Sequence, residues 1–267
     1  SNTGSGVYLY GKSGVTIRNL NVNQFSYGIL FYQSSGNTLI SNVTSSNGFG
    51  IGLYFSSNNT LIDNIAQENL GWDIYVFAYS DSDCNNSIIN TIGSGDRPIK
   101  YFNSAVNLSN ETLSQLILCN ADGSSINNIT INGSSTKKNN NLFLIRTDFS
   151  TITSINSSDN AFGIVLVSSS NNTLTDNTVN SNKSTGIYIL DSSSNNNPYS
   201  NNNTITNNTA SNNFDDGIHL RSSSNNTLTG NTVNSNSYGI TLISSSNNTL
   251  TGNTASNNSK GIYLFYS

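Results

Sequence analysis

The sequence repeats itself with a period of 22 residues. Residues 226–229, with the sequence NTLT, recur as residues 248–251. Near the other end of the chain, Val7, Ile29 and Ile51 follow one another with the same step. Self-similarity at such a period is the signature of repeat architectures, in which each unit packs on its neighbours. The chain is therefore expected to fold as a stack of similar coils.

Each repeat unit predicts three short strands. It reads G-I-x-L, a polar S-S-x-N-N segment, T-L-T, and then N-x-V or N-x-A before a second polar segment. The alternation places Ile and Leu on one side of a strand, whereas the many Asn, Ser, Thr and Gly residues compete with helical hydrogen bonding. Such short strands can pair with their equivalents in the next coil. The sequence predicts an all-β fold, a right-handed parallel β-helix of about a dozen coils, with stacked Asn side chains at the corners.

One β-helix domain is expected over residues 1–267. The coils are regular over 1–94, carry longer loops over 95–160, and are regular again over 161–267 with an insertion near 195–203. Four apolar segments of the irregular part are predicted strands: 99–102, 116–118, 126–131 and 142–145.

The composition excludes several classes of partner. Charged residues make up 9% of the chain, so neutral Asn, Ser and Thr must form most of the surface, while 34% apolar residues are enough for a core. With a net charge of −4, the chain lacks the excess of positive charge that is typical of proteins that bind nucleic acid or anionic lipid. No apolar run is long enough for a membrane span, and the lack of any Met indicates a processed or truncated product.

Two units and one further segment resemble a known repeat family. Residues 223–240 and 56–69, together with a passage that runs from RPIKYF at 97–102 to QLILCNADGSSINNITI at 115–131, are similar to the NosD-type right-handed parallel β-helix repeats of surface and secreted proteins, many of them archaeal. The resemblance implies the fold, but such domains include lyases, hydrolases, epimerases, adhesins and coat proteins. One His and no Met leave little to hold copper, so no metal and no cofactor are expected.

One coil gathers the candidate catalytic residues Asp215, Asp216, His219 and Arg221. It resembles the strand of β-helical polygalacturonases whose paired carboxylates serve as general acid and base. Strand alternation points His219 and Arg221 outward, where a glycan can lie across them. The neighbouring coils carry no further acidic group at the equivalent positions, so a structural Asp pair with an outward His is the competing interpretation.

The two cysteines, Cys84 and Cys119, occupy similar places in their coils. Each follows an apolar segment and precedes an Asn, so one corner on adjacent coils would bring them within bridging distance. A disulfide indicates an oxidising, exterior location. Two separate buried thiols are the alternative.

Sequons for N-glycosylation are abundant, because a repeat containing N-N-T creates them automatically. Those in the irregular part are expected to be the better acceptors: Asn107, Asn110 and Asn132. The sequons of the regular repeats are expected to include many unmodified ladder residues.

Aromatic residues recur at the outward positions of the first strand of each coil. Contiguous exposed apolar surface usually marks a partner, and Tyr suits a subunit interface or a sugar-stacking platform. A stripe covered by loops of the chain itself is the alternative. The predicted assembly face consists of Tyr8, Tyr10, Tyr32, Tyr54, Tyr75, Phe77, Tyr188, Tyr263 and Phe265.

Two functions remain open from the sequence. The first is a structural extracellular protein of a cell-surface layer, sheath or filament, whose identical subunits associate through the aromatic face and through uncapped ends. The second is a carbohydrate-active enzyme or a glycan-binding adhesin module. Both predict an extracellular location at the cell surface, with partners that are copies of the chain or surface glycans.

Overall fold

The structure, a computed structural model, describes residues 3–190 and 200–267 and is a parallel β-helix. It makes about eleven turns of about 22 residues, close to the dozen that the sequence predicts. Helical structure in the described residues is limited to two short 3₁₀ segments, Asp81–Cys84 and Ser94–Asp96. The insertion expected near 195–203 lies largely outside the described residues.

The first four coils form what we call the N-terminal stack. Its three sheets have the orders β1-β4-β7-β10, β2-β5-β8-β11 and β3-β6-β9-β12. The strands are β1 (Ser5–Tyr10), β2 (Thr16–Arg18), β3 (Asn21–Asn23), β4 (Tyr27–Tyr32), β5 (Thr38–Ile40), β6 (Val43–Ser45), β7 (Phe49–Tyr54), β8 (Thr60–Ile62), β9 (Ile65–Gln67), β10 (Ile74–Phe77), β11 (Ser87–Ile89) and β12 (Ile92–Gly93).

The remaining coils form the C-terminal stack. Its strands are β13 (Arg97–Phe102), β14 (Asn107–Leu113), β15 (Gln115–Cys119), β16 (Ser125–Ile131), β17 (Leu142–Ile145), β18 (Thr151–Thr153), β19 (Asn156–Ser157), β20 (Ile164–Val167), β21 (Thr173–Thr175), β22 (Ile187–Leu190), β23 (Thr204–Thr206), β24 (Asp216–Arg221), β25 (Thr227–Thr229), β26 (Thr232–Asn234), β27 (Tyr238–Ile243), β28 (Thr249–Thr251), β29 (Thr254–Ser256) and β30 (Lys260–Phe265). The four apolar segments predicted as strands fall within β13, β15, β16 and β17.

The register of the strands follows the 22-residue repeat. Val7 pairs with Ile29, and Ile29 pairs with Ile51, as their spacing predicts. The Gly of G-I-x-L is required by the close approach of successive coils, because a Cβ on Gly239 would lie 2.3 Å from the carbonyl oxygen of Gly261. Each coil is therefore the pairing template for the next coil.

Asparagine ladders connect the corners, as expected. Asn177 donates to the Oδ1 of Asn208 (2.8 Å), Asn208 donates to Asn231 (3.0 Å), and Asn231 donates to Asn253 (2.9 Å). The first three side chains are fully buried, so each amide replaces water with a partner one coil away. At other corners Asn adopts the left-handed conformation, as at Asn225, whose φ is 59°.

The coils do not form one uninterrupted stack. After β12, the turn at Ser94–Asp96 reverses the chain, and β13 pairs antiparallel to β12. This pairing joins the third sheet of the N-terminal stack to the first sheet of the C-terminal stack in one twelve-stranded sheet. The first sheet of the N-terminal stack ends at β10.

Side chains of the C-terminal stack close the edge left at β10. The amide of Gln115 acts as a substitute peptide group, because its Oε1 accepts from the Ile74 N–H (3.1 Å) and its Nε2 donates to the Ile74 carbonyl (2.8 Å). The side chain of Asn140 likewise accepts from the backbone N–H of Asp73 (2.8 Å). These bonds satisfy backbone N–H and C=O groups of Asp73 and Ile74 that would otherwise pair with a following coil.

Two hydrophobic cores result. Ile29, Leu39 and Phe31 belong to the core of the N-terminal stack, whereas Leu116 and Leu118 belong to the core of the C-terminal stack. The alternate residues of β15, β17 and β20 face the other way and complete the N-terminal core: Ile117, Cys119, Phe143, Ile145 and Val165. One sheet of the C-terminal stack is therefore buried on both faces over these strands.

Candidate functional site

A pocket of about 210 Å³ lies where the two stacks meet. The N-terminal stack contributes β10, which is the last strand of its first sheet. The C-terminal stack contributes the outer faces of β17, β20 and β22. The pocket is lined by Trp72, Tyr75, Val76, Phe77, Ala78, Phe143, Ile145, Phe162, Val165, Val167, Tyr188 and Leu190. It is therefore an apolar, largely aromatic cavity that neither stack has by itself.

Ring contacts hold the walls of this junction pocket in place. Trp72 lies 4.5 Å from Tyr75 and 5.0 Å from Phe143 between ring centroids. Phe162 stacks on Tyr188 at 6.1 Å, with the planes 15° apart. Burial raises the pKa of Tyr75 above its usual value, so its phenol stays a neutral hydroxyl in the pocket wall.

A second pocket of about 300 Å³ shares two residues with the junction pocket, Phe162 and Tyr188. We call it the polar pocket because carboxylates, hydroxyls and the single histidine line the rest of it. The complete lining is Phe162, Ser184, Thr185, Tyr188, Asp215, Asp216, His219, Ser237 and Tyr238. The two pockets are therefore neighbours that share Phe162 and Tyr188, one with an apolar lining and the other with a largely polar lining.

Three of the four candidate catalytic residues lie in the polar pocket. His219 Nδ1 lies 2.7 Å from Asp216 Oδ2, and Asp216 Oδ1 accepts from the hydroxyl of Thr241 at 2.8 Å. Asp215 accepts from the hydroxyl of Ser184 at 2.5 Å. Arg221, at the end of β24, is exposed and does not line either pocket. The geometry provides an imidazole oriented by a carboxylate, beside a second carboxylate.

The predicted assembly face is not one stripe, because the break between the stacks divides it. Tyr10, Tyr32, Tyr54 and Phe77 stack in sequence along the N-terminal stack at 5.7, 6.3 and 5.7 Å. Tyr8 and Tyr10 are the most exposed of the set, at 55% and 57%. Phe77, the last ring of this column, also lines the junction pocket, as do Tyr75 and Tyr188, whereas Tyr263 and Phe265 lie on β30.

Sequence reasoning missed three aromatic residues of the junction pocket, Trp72, Phe143 and Phe162, and also its aliphatic residues Val165 and Val167. The structure buries Val165 and half-buries Val167. The signal was present, because β17 and β20 read LFLI and IVLV without polar alternation. Continuous apolar runs of this length are typical of strands buried on both faces.

Cys84 and Cys119 form a disulfide across the junction, with their Cα atoms 5.3 Å apart. Cys84 ends the 3₁₀ turn after β10, and Cys119 ends β15, so the bond joins the two stacks. Tyr101 donates its hydroxyl to the carbonyl of Cys84 at 2.6 Å, which fixes the same corner.

The three favoured sequon residues are all exposed, but two of them lie in a strand and not in a loop. Asn107 and Asn110 belong to β14, whereas Asn132 directly follows β16. Asn110 Oδ1 also accepts from the side chain of Asn128 at 2.7 Å.

The family model described as "Periplasmic copper-binding protein (NosD)" matches residues 1–120 and 198–267, which is more than half of the chain. The chain belongs to the NosD family. The periplasmic description of this family fits an extracytoplasmic location. Among the described residues, no helix has the length and apolarity needed to span a bilayer. An archaeal source and a sheath role remain predictions.

Some solved structures with a similar fold are named as enzymes that act on carbohydrates. A double mutant of the periplasmic alginate epimerase AlgG is 15% identical with a TM-score of 0.51; the match covers 93% of this NosD-family chain and 60% of that chain. The Azotobacter vinelandii mannuronan C-5 epimerase AlgE4 A-module is 15% identical with a TM-score of 0.47, covering 99% and 77%. At these identities the likeness concerns the fold alone. No curated protein matches the sequence.

The donor set of this NosD-family chain does not fit copper. Both cysteines are consumed by the disulfide, the sequence contains no Met, and His219 commits Nδ1 to Asp216. The described residues hold no group of three or more His, Cys, Asp or Glu side chains placed to share an ion. Copper sites need several thiolate, thioether or imidazole ligands, so we derive no chemistry through copper.

Proposed function

We propose that this NosD-family chain is an extracytoplasmic carbohydrate-binding protein whose ligand occupies the junction pocket. The observation that carries the proposal is the aromatic wall contributed by both stacks, Trp72 and Tyr75 from one and Phe143, Phe162 and Tyr188 from the other. Sugar rings have apolar C–H faces and polar edges, so an apolar wall beside a polar rim is the complementary surface.

The polar pocket supplies that rim. It shares Phe162 and Tyr188 with the junction pocket and offers carboxylates and hydroxyls beside these two rings. A ligand that stacks on the aromatic wall can therefore place its hydroxyl groups against Asp215 and Ser184. This division between an apolar body and a few convergent polar groups is typical of small-molecule sites.

The test uses Trp72, the only tryptophan in the chain, as a reporter in the pocket wall. The intact protein is titrated with gluco-, manno- and xylohexaose and with hexagalacturonate, and Trp72 emission is followed beside calorimetry. At least one sugar is expected to change the emission saturably. Phe162→Ala should weaken that binding about tenfold through the lost ring contact.

Phe25→Ala is the matched control, because Phe25 is also a half-buried phenylalanine that packs against the N-terminal core but lines neither pocket. It should leave the affinity unchanged. If no sugar of the panel changes the Trp72 emission or produces binding heat at millimolar concentration, the proposal is wrong.

A second candidate function, assembly of identical chains into a surface layer, sheath or filament, is favoured by one observation. Tyr8 and Tyr10 are 55% and 57% exposed at one end of the stacked column on the N-terminal stack. Exposed aromatic surface of this kind suits a subunit interface. Mass photometry at micromolar concentration should show oligomers that disperse in a Tyr8→Ser, Tyr10→Ser variant; a monomeric wild type would exclude assembly through this face.

A further inference from the structure

One buried polar atom at the polar pocket lacks a partner. The Nε2 of His219 has no hydrogen bond among the described residues, although the ring lies 15% exposed at the pocket wall. The other side chains of the described residues with such atoms, Thr44 and Asn141, line neither pocket. Native proteins rarely leave a buried polar group unpaired, so such an atom points to an absent partner.

The hydrogen bonds of Asp216 determine the chemical character of that nitrogen. A carboxylate only accepts hydrogen bonds, and both of its oxygens are engaged, Oδ1 by the Thr241 hydroxyl and Oδ2 by His219 Nδ1. The proton of the neutral imidazole is therefore on Nδ1. Nε2 carries a lone pair, so the missing partner is a hydrogen-bond donor.

We propose that His219 Nε2 is the acceptor for a hydroxyl group of a neutral sugar, in a polar subsite that shares Phe162 and Tyr188 with the aromatic junction pocket. The inference rests on the proposed carbohydrate-binding function and adds to it the class of ligand and the residue that recognises it. Because Nε2 is covered in the free chain, the imidazole must shift toward the pocket, where its edge is already exposed, for the hydroxyl to reach it.

The charges around the two pockets select a neutral ligand. Asp215 and Asp216 line the polar pocket, and no Lys or Arg of the described residues lines either pocket. Lys260 is not part of the lining, and its ammonium group lies over the rings of Tyr238 at 5.2 Å and Tyr263 at 4.0 Å. Lys183, next to Ser184 in the chain, directs its ammonium group to the carbonyl of Leu70 at 3.4 Å. A uronate carboxylate would therefore meet two carboxylates and no cation in the pocket lining, whereas a neutral sugar would meet no like charge.

Asp216 acts here as a positioning residue, and its replacement gives a test that does not depend on losing the fold. In Asp216→Asn, the amide oxygen can still accept from Thr241, while its NH₂ group donates to Nδ1. The imidazole proton then moves to Nε2, which becomes a donor. Because His219 is the only histidine, its ¹⁵N signals report the tautomer directly in each variant.

The experiment combines the Trp72 titration with ¹⁵N-detected spectra of His219 in the full chain, using the neutral hexasaccharides and hexagalacturonate. The inference predicts an Nδ1–H tautomer in the free wild type and a shift of the Nε2 signal when a neutral sugar binds. Neutral sugars should bind at least about tenfold more tightly than hexagalacturonate.

The variants should separate recognition from folding. Asp216→Asn should show the Nε2–H tautomer and bind at least about tenfold more weakly, since a donor replaces the acceptor. His219→Phe, which keeps a ring beside Tyr188, should weaken binding by a similar factor. Because this change leaves Asp216 Oδ2 without its partner, the thermal midpoint should fall, and binding is measured well below the midpoint of the variant. Thr147→Val, which removes a buried, hydrogen-bonded threonine hydroxyl outside both pockets, is the control and should bind within about twofold of wild type.

The outcomes keep the two proposals distinguishable. If sugars change Trp72 emission but leave the Nε2 signal unshifted, or if His219→Phe binds as tightly as wild type, the inference fails while carbohydrate binding stands. Preferred binding of hexagalacturonate would also overturn it. If no sugar changes the emission of Trp72, both proposals fall.

Discussion

The first sheets of the two stacks are built from the same repeat, yet their outer faces have different surroundings. In the N-terminal stack the outward residues form a stacked aromatic column that begins at the exposed Tyr10 and reaches Phe77. In the C-terminal stack the outward residues of β15, β17 and β20 are buried, among them Ile117 and Val165. The same backbone pattern therefore serves as a surface in one stack and as the wall of a second core in the other.

The difference shows how a solenoid with a simple repeat acquires a pocket. Stacked coils by themselves give flat sides, and a concave site needs two sides at an angle. Here the chain reversal at Ser94–Asp96 brings the outer face of one stack against the last strand of the other. The junction pocket is the space that remains between those two surfaces.

The disulfide is the most direct link between the stacks, so its loss should have the largest effect. Replacing Cys84 and Cys119 by Ala frees a loop with a sequence separation of 35. The entropy of that loop predicts about 4 kcal/mol lower free energy of unfolding. Urea unfolding measures this, and wild type under reducing conditions should lose a similar amount. An unchanged midpoint in both would show that the stacks are joined by packing alone.

Adjacent residues of β15 separate the two cores. Leu118→Ala should cost about 3 kcal/mol in the C-terminal core, and Ile117→Ala a similar amount in the N-terminal core. Hydrogen exchange should then increase around β24 for the first variant and around β10 for the second. The same exchange pattern for both variants would contradict the division into two cores.

The Asn ladders belong to the regular coils and should contribute less per residue. Asn208→Ala leaves the Asn177 side chain and the Leu174 carbonyl without their partner, for an expected loss of about 2 kcal/mol in unfolding free energy. Asn103→Ala, at an exposed position, is the control and should stay within about 0.5 kcal/mol of wild type. Equal effects would mean that the ladder adds no stability.

The smallest expected effect is a pH dependence at the junction. Burial raises the pKa of Asp73 above 3.8, although hydrogen bonds from Asn140, Asn69 and Ser94 oppose the shift. Its contribution to stability is therefore fully present below the unfolded pKa and is lost as the pH rises through the folded pKa. Unfolding free energies measured from pH 3 to pH 7 should fall more steeply for wild type than for Asp73→Asn.

Asp176→Asn, at an exposed position in the C-terminal stack, is the control for this pH series. It should keep the wild-type slope. If Asp73→Asn also keeps that slope, Asp73 does not contribute to the pH dependence.

The resemblance of the repeats to the NosD family, on residues such as 223–240, predicted the family correctly. The pairing of Cys84 with Cys119 was one of two alternatives that the sequence left open, and the structure contains it. Asp215, Asp216 and His219 were recognised as a group because they are close in sequence. Their relation to Phe162 and Tyr188 was not recognised, since it depends on coils that are separated along the chain.

The sequence by itself determined the coil, the strand register and the Asn ladders, because these depend on equivalent residues about 22 positions apart, as with Ile29 and Ile51. Only the tertiary structure decided where the stack breaks, which outward faces are buried, and that Trp72 meets Phe143. The physical reason is that a repeat specifies contacts between neighbouring coils. The angle between two stacks is set by unique, non-repeating contacts such as those of Gln115 and Asn140 with β10 and Asp73.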